Sequence, residues 1–96
     1  MITLVAKFYV KKGRGREVEA ALKAMTPLVR DLEPGCHAYE PQRAVDDEDI
    51  FLVYEQYSDE AALQEHRNTA HFKALIEGVV VPLLEKRERD VYSPLS

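Results

Sequence analysis

Cysteine, long apolar runs and positive charge are all scarce in this 96-residue sequence. Cys36 is the single cysteine, so no internal disulfide can form, and because small exported domains are usually cross-linked we expect a cytoplasmic protein. No basic leader with an apolar segment opens the chain, which favours the same conclusion. The longest aliphatic run, residues 79–84, is interrupted by Pro82 and is far shorter than the roughly 20 residues of a membrane-spanning helix, so we expect no membrane partner.

The charge balance argues against nucleic acid as a partner. Lysine and arginine together number 13 against 17 acidic residues, which gives a net charge of −4 at pH 7. Nucleic-acid-binding domains of this size usually carry a basic excess instead. A content of 46% hydrophobic and 31% charged residues is typical of a folded globular chain. We therefore expect one folded domain over residues 1–96.

The spacing of apolar residues changes along the chain in a way that predicts strands and helices. Alternation predicts a strand, and spacings of three and four predict a helix. The predicted elements are, in order, a strand over 2–10, a helix over 16–32, strands over 36–43 and 50–57, a helix from Ser58 or Asp59 to about Arg67, a helical piece over 72–79, and a strand over 87–91. This order is that of an α+β, ferredoxin-like split βαβ fold, with a four-stranded antiparallel sheet and helices on one face.

Prolines, glycines and an acidic run mark where the elements bend or end. Pro27 lies inside the first predicted helix, where we expect a bend or a loosened turn because proline lacks a backbone donor. Pro34 and Gly35 are expected to end that helix, since Gly35 can take left-handed backbone angles. Pro41 predicts an edge position or a bulge in the second strand. Residues 45–49, of which four are acidic, predict an exposed loop.

The predicted sheet has more apolar surface than two helices can cover. Residues 50–57 are apolar on both faces, and Val5 and Tyr9 lie opposite the main apolar face of the first strand. Because soluble monomers rarely expose a large apolar patch, the open face predicts a partner. A second copy packed sheet to sheet as a two-fold homodimer is the simplest such partner.

Histidine and tyrosine supply the side chains that could carry chemistry. All three histidines and three of the five tyrosines lie within residues 37–71: His37, Tyr39, Tyr54, Tyr57, His66 and His71. Histidine exchanges a proton near neutral pH, with an unperturbed pKa of about 6.5. Tyrosine donates a hydrogen bond while its ring stacks on an aromatic molecule. A pocket built from both suits a flat, oxygenated aromatic ligand.

Other interpretations of these residues stay open. His66 and His71 are five residues apart, about 140° around an unbroken helix, which is not the i, i+4 spacing of a helical metal site. Either one could be a surface or capping histidine, and the tyrosines could be packing residues. Cys36 is more typical of a small buried residue than of a nucleophile, because its neighbour His37 points to the opposite face. Glu55 could simply neutralise a nearby cation, so spacing alone identifies no reaction.

Several segments of the sequence resemble the small quinol monooxygenases of the antibiotic biosynthesis monooxygenase family. Residues 33–41 (EPGCHAYEP) resemble the family's second-strand signature, and residues 54–57 (YEQY) resemble its aromatic-Glu-x-aromatic ending of the third strand. Residues 60–66 (EAALQEH) and 69–72 (TAHF) resemble its helix motif of two histidines five residues apart. The opening strand and the Lys-Gly pair after it also fit, so the resemblance covers nearly the whole chain.

The resemblance implies an activity and a set of site residues. Enzymes of this family are dimeric α+β barrels that oxidise quinols or polyketide phenols with molecular oxygen and need neither metal nor flavin. The implied partners are a small aromatic substrate and oxygen, with no cofactor. The implied catalytic residues are His66, His71 and Tyr39, and the implied substrate-binding residues are His37, Tyr57 and Phe72. One of the two later histidines would accept the phenolic proton and later return it, and Tyr39 and His37 would hydrogen-bond the substrate oxygens.

Two departures from the family pattern keep other functions open. Many relatives end the third strand with Trp, where this chain has Tyr57. Haem-degrading relatives carry a Trp and a haem-ligating histidine at positions that correspond to His66 and Ile76, so haem ligation is not expected. An isomerase or detoxifying enzyme for a small carbonyl metabolite is one alternative function. A dimeric ligand-binding protein without turnover is another.

Overall fold

The computed structural model describes residues 1–96 and contains a four-stranded antiparallel sheet with helices packed on one face. The elements are β1 Ile2–Val10, α1 Gly15–Leu32, β2 Cys36–Arg43, β3 Ile50–Tyr57, α2 Glu60–Asn68, a π-helix Phe72–Val80, a short 3₁₀ turn Val81–Leu83 and β4 Leu84–Tyr92. The strand order β2-β3-β1-β4 is that of a ferredoxin-like split βαβ fold. The predicted α+β fold class is confirmed, and β4 is longer than the sequence predicted. No helix combines the length and the apolar character that crossing a bilayer needs.

Strand alternation places one apolar face of the sheet under the helices. In β1, Phe8 and Ala6 are buried, and their register partners Phe51 and Val53 in β3 are buried with them. The helix α1 packs a stripe of buried side chains against this face. The stripe consists of Val18, Ala21, Leu22, Met25 and Val29. The core is therefore a layer between α1, the π-helix and the inner face of the sheet.

The start of α1 is held by the acidic loop between β2 and β3. The Asp49 carboxylate accepts hydrogen bonds from the backbone N–H groups of Gly13 and Gly15, each at 3.1 Å. Backbone N–H groups at a helix start have no partner within the helix, so a side chain from elsewhere satisfies them. Gly13 has a φ of 81°, which suits glycine. The loop predicted as exposed thus also caps a helix, and α1 runs unbroken through Pro27.

Gly35 connects α1 to β2 without the left-handed backbone that the sequence suggested. Gly13 is the only residue with a positive φ, so that prediction was wrong. A Cβ atom at Gly35 would instead lie 2.7 Å from the Cβ of Ala62 on α2, well inside the separation of about 3.5–4.0 Å that carbon atoms prefer. The glycine is therefore needed because the start of β2 passes directly against α2.

The helix α2 ends at a break that separates the two later histidines. The Asp59 carboxylate caps the start of α2 by accepting from the Ala62 N–H at 2.9 Å, as predicted. Thr69 is extended, with φ −68° and ψ 152°. Its hydroxyl donates to the His66 carbonyl and accepts from the Phe72 N–H. The chain then enters a π-helix instead of the α-helix that its spacing suggested, and such i→i+5 segments are frequent at functional sites.

The other face of the sheet carries no helix. Val5 and Tyr9 of β1 lie on it with Ile50, Leu52 and Tyr54 of β3, and all five side chains are half-buried. Tyr54 pairs with Val5, and Ile50 pairs with Tyr9. The apolar patch predicted from the sequence is therefore present and continuous across the two central strands.

Candidate functional site

A small cleft lies between the inner face of the sheet and the pair formed by α2 and the π-helix. Its floor consists of apolar side chains: Leu4, Ala6, Phe8, Phe72 and Ile76. Its remaining lining is polar or charged: Tyr39, Glu55, His66, Arg67, Arg87 and Arg89. The cavity measures about 20 Å³, which is room for about one water molecule. The space between these polar groups is therefore small in this structure.

His66 lies at the centre of the aromatic residues of this region. It is 3% exposed, and its ring centroid lies 5.7 Å from that of Tyr39, 5.4 Å from that of Tyr57 and 5.0 Å from that of Phe72. These four residues were predicted from the sequence to share one site, and the structure brings them together. Such burial also excludes a surface role for His66.

Glu33 connects the two later histidines. Nδ1 of His66 lies 2.7 Å from Oε1 of Glu33, and Nε2 of His71 lies 2.6 Å from Oε2. An ionised carboxylate can only accept, so both rings donate to it. Burial alone would raise the pKa of Glu33, but the hydrogen bonds from His66 and His71 outweigh it and lower that pKa. Glu33 is therefore a charged anchor that fixes both rings.

The break after α2 explains how histidines five residues apart share one carboxylate. On an unbroken helix the two rings would lie about 140° apart. Because α2 stops at Asn68 and Thr69 is extended, the chain turns and brings His71 back toward Glu33. No group of three or more His, Cys, Asp or Glu side chains is arranged to hold a metal ion.

A second buried carboxylate, Glu55, faces the other ring nitrogen of His66. Its Oε1 lies 3.7 Å from Nε2 of His66 and accepts a hydrogen bond of 2.5 Å from the Tyr57 hydroxyl. Burial raises the pKa of Glu55 to about 6, although the Tyr57 hydrogen bond and the charge of His66 act against it. Burial and the Glu55 charge raise the pKa of Tyr57, and the same two causes raise that of Tyr39. Both tyrosines therefore remain neutral hydrogen-bond donors.

His37 lies outside this cleft, although the sequence predicted that it binds substrate beside Tyr39. The register of β2 against β3 shifts between Cys36 and Ala38. This irregularity leaves His37 exposed, with its Nε2 2.7 Å from Oγ of Ser58. Tyr39, two residues further along, is buried and lines the cleft.

Tyr57 and His71 do not line the cleft and instead form hydrogen bonds to the two buried carboxylates. Tyr57 is fully buried and does not line the cavity, so its expected place in the pocket wall is corrected to a hydrogen-bond donor for Glu55. The His71 side chain is only 9% exposed. It also lies outside the lining of the cleft, where it contacts Glu33. Of the six predicted site residues, Tyr39, His66 and Phe72 border the cleft directly.

Neither buried carboxylate was predicted as a site residue, and Glu55 was considered only as a group that neutralises a nearby cation. Alternation along β3 puts Glu55 on the same face as Val53 and Tyr57, and a carboxylate on a buried face was a signal that could have found it. Glu33 gave no such signal, because it directly follows the first helix and only tertiary contacts turn it inward. The arginines of β4 alternate in the same way as the buried residues of β1, and this pattern was also overlooked.

Several proteins of known structure are similar to this chain. A Pseudomonas aeruginosa protein is 32% identical with a TM-score of 0.89, and the match covers 99% of this chain and 94% of that one. A Shewanella oneidensis protein is 30% identical with a TM-score of 0.86, and the match covers 95% of this chain and 87% of that one. A Caulobacter crescentus protein, provisionally described as an antibiotic biosynthesis monooxygenase, is 26% identical with a TM-score of 0.90, covering 99% and 90%. No curated protein matches the chain.

A family-level comparison covers most of the sequence. The sequence model of the antibiotic biosynthesis monooxygenase family matches residues 1–78. That range includes both buried carboxylates and all three histidines, and ends inside the π-helix. Because the match extends over well more than half of the chain and over most of the site, the chain belongs to the antibiotic biosynthesis monooxygenase family.

Proposed function

We propose that this chain is a cofactor-independent monooxygenase that oxidises a quinol or a related phenol with molecular oxygen. The observation that carries the proposal is the Glu33–His66 pair. One ring nitrogen of His66 is held by a buried carboxylate at 2.7 Å, which leaves the other as a proton acceptor at the cleft. A carboxylate in this position fixes the tautomer of the ring and stabilises the ring once it is protonated. The family membership supports the reaction class.

Loss of the phenolic proton is the first step. An unperturbed phenol ionises near pH 10 if tyrosine is the guide, so the protein must accept the proton and stabilise the anion. Nε2 of His66 accepts the proton, and the Glu33 carboxylate compensates the new charge on the ring. The Tyr39 hydroxyl, whose raised pKa keeps it protonated, donates to the phenolate oxygen.

The atoms and electrons of the overall reaction balance without a further reductant. The ionised quinol transfers an electron to oxygen, the two radicals combine at a ring carbon, and His66 protonates the peroxide that results. The proton on that ring carbon then leaves, the O–O bond breaks and water departs. Quinol and oxygen thus give hydroxyquinone and water, with one oxygen atom in each product and all electrons supplied by the ring.

The small cleft must widen before a substrate can enter. At about 20 Å³ the cavity has no room for a two-ring quinol. The side chains of Arg87 and Arg89 are exposed and can swing outward, whereas Ala6 and Phe8 beneath them are fixed in the sheet. The apolar floor then excludes water from the reacting ring.

The three histidines provide the test and its control. Oxygen uptake with a reduced naphthoquinone, measured above the rate of autoxidation, should fall by about 100-fold or more in His66→Ala. His71→Ala should fall less, because it acts through Glu33. His37→Ala is the matched control and should keep the full rate, since His37 is exposed outside the cleft. Unchanged rates in both His66→Ala and His71→Ala, with circular dichroism showing folded protein, would remove the proposal.

Isomerisation of a small carbonyl metabolite is a second candidate function, favoured by Glu55. A carboxyl group with a pKa of about 6 that lies 3.7 Å from a histidine nitrogen can act with it as an acid–base pair. Such a pair can move a proton between neighbouring carbons without oxygen. Turnover of a carbonyl compound under anaerobic conditions, lost in Glu55→Gln, would favour this candidate over the monooxygenase.

We also propose that the helix-free face of the sheet binds a second copy, giving a homodimer. Val5, Leu52 and Tyr54 contribute to the apolar patch on this face, and patches of this kind are usually covered. Sedimentation at micromolar concentration should give the mass of two chains. Leu52→Lys should release single chains, whereas Val45→Lys, a change in a fully exposed loop residue, should not. A single-chain mass for the unaltered protein would contradict the proposal.

A further inference from the structure

Three arginines line one side of the cleft without forming a salt bridge to an acidic residue. Arg67 comes from the end of α2, and Arg87 and Arg89 come from β4; we call them the arginine wall. None of the three forms a salt bridge, whereas Arg14, for example, pairs with Glu17. In a chain with a net charge of −4, three neighbouring cations without partners require an explanation.

The fold imposes this grouping. Arg87 pairs with Phe8 and therefore projects to the helix side of the sheet. Arg89 pairs with Ala6 and projects to the same side, where Arg67 also lies. Burial, followed by the charges of Arg87 and Arg67, lowers the pKa of Arg89, and the charge of Glu55 acts against this lowering without reversing it. The like charges are therefore close enough to repel one another. Glu88 and Asp90 of β4 pair with Lys7 and Val5 and therefore project to the opposite face, where they do not relieve this repulsion.

Glu55 is the one carboxylate that lines the cleft, and it already has partners. Its Oε1 accepts from the Tyr57 hydroxyl at 2.5 Å and lies 3.7 Å from Nε2 of His66. It contributes at most one negative charge, against three guanidinium groups that stay charged at any physiological pH. The mouth of the cleft therefore carries an excess of positive charge above an apolar floor.

We propose that the arginine wall binds an anionic substituent of the aromatic substrate, in its simplest form a carboxylate. A guanidinium group matches the geometry of a carboxylate and can donate two parallel hydrogen bonds to it. The hydroxyl group of the substrate would then lie toward His66, which is buried, and the carboxylate toward the exposed ends of Arg87 and Arg89. The inference rests on the proposed function and narrows its substrates to hydroxylated aromatic carboxylates.

Binding without turnover tests the charge preference separately from catalysis. The ligands are 6-hydroxy-2-naphthoate and its uncharged counterpart 6-hydroxy-2-naphthamide, which share the ring and the hydroxyl group. Titration calorimetry on the full chain should give a Kd about tenfold lower for the carboxylate. Arg87→Gln and Arg89→Gln should each reduce that preference to about threefold or less. Lys86→Gln removes a positive charge from the same strand but from the opposite face, over the Tyr9 ring, and should keep the preference.

The outcomes separate this inference from the proposed function. Equal binding of the two ligands to the unaltered protein would overturn the inference, and so would a preference that survives in the double variant Arg87→Gln/Arg89→Gln. The two ligands should bind equally if the arginine wall binds only the phenolate oxygen of a substrate. Equal binding is also expected if a carboxylate of a second copy of the chain occupies the arginine wall. Quinol oxidation together with equal binding would leave the monooxygenase proposal standing. A clear carboxylate preference without quinol oxidation would leave the anion site standing and remove the monooxygenase.

Discussion

Replacing Glu33 by Gln keeps the shape of the side chain and removes its charge. One carboxylate oxygen of Glu33 accepts from His66 and the other from His71. Gln offers one oxygen and one NH₂ group, so it can accept from only one of the two rings. The N–H of the other ring would then face the NH₂ group of Gln, and two donors cannot form a hydrogen bond. The ring could avoid this by changing tautomer, but its proton would then move to the other ring nitrogen. We therefore expect Glu33→Gln to lose both stability and activity.

The size of the stability loss follows from the number of hydrogen bonds. Hydrogen bonds to charged groups contribute about 1.5–3 kcal/mol each, and neutral ones about 0.5–1.5 kcal/mol. Glu33→Gln exchanges two hydrogen bonds to a charged group for one neutral hydrogen bond. Because the variant no longer buries a charge, part of this difference in free energy is offset. We expect Glu33→Gln to lower the free energy of unfolding by roughly 2–3 kcal/mol. For a domain of this size the corresponding fall in Tm is roughly 10–20 °C.

The loss should depend on pH in one direction. Folding lowers the pKa of Glu33 from its ordinary value of 4.5, so the ionised form stabilises the fold above that pH. This stabilisation disappears as the pH falls through the lowered pKa of the folded chain. The difference in the free energy of unfolding between Glu33→Gln and the unaltered protein should therefore be complete at about pH 7 and shrink in acid.

Urea unfolding followed by circular dichroism measures this difference, with Glu65→Gln as the matched control. Glu65 is exposed on α2, and its replacement should change the free energy of unfolding by no more than about 0.5 kcal/mol. Oxygen uptake at a temperature where all three proteins are folded then reports the effect on the site. Equal free energies of unfolding for the two variants would refute the reasoning, because the carboxylate would then stabilise neither ring.

Three further predictions concern single groups. Burial raises the pKa of Glu55 from 4.5 to about 6. As the pH rises through this interval, the free energy of unfolding measured in urea should therefore fall by about 2 kcal/mol more for the unaltered protein than for Glu55→Gln. Parallel pH profiles of the two proteins would contradict this prediction. Burial raises the pKa of Cys36 to about 11. Iodoacetamide at about pH 8 should therefore alkylate Cys36 about a hundredfold more slowly than a free thiol. Comparable alkylation rates would count against the burial of Cys36. Gly35→Ala should cost about 1–3 kcal/mol in thermal unfolding, since its methyl group would lie 2.7 Å from the Cβ of Ala62; an unchanged Tm would show that the contact yields freely.

The architecture could be predicted because the apolar residues of each strand and helix recur with the spacing that is typical of that element. The alternation of β1 and β3 and the spacing of three and four in α1 are local patterns that survive in the fold. Features that depend on distant residues could not be predicted in this way. The Asp49 cap on α1 and the contact of Gly35 with Ala62 each join separate elements. The π-helix was missed because its buried residues, Phe72 and Ile76, are also compatible with α-helical spacing.

The aromatic part of the candidate site could be predicted, and its ionic part could not. His66, Tyr39 and Phe72 were recognisable from residue type and family motif. A glutamate or an arginine is normally a surface residue, so Glu33 becomes meaningful only when its burial is known. Glu55 could have been found from the sequence only by using the alternation along β3 to place it on the buried face. The arginine wall also becomes meaningful only in the folded chain, because its lack of salt bridges depends on the register between β1 and β4.

The two buried carboxylates beside His66 have neighbours that push their pKa values apart. Burial acts on both, but Glu33 accepts from two histidines, which lower its pKa, whereas Glu55 accepts from one tyrosine hydroxyl and its pKa rises to about 6. Glu33 therefore stays ionised near neutrality and holds the ring, while Glu55 can gain or lose a proton there. A proton accepted by His66 then has two destinations, the substrate or Glu55, 3.7 Å away. This asymmetry suits the proposed reaction, because the proton taken from the phenol has to be returned to the peroxide.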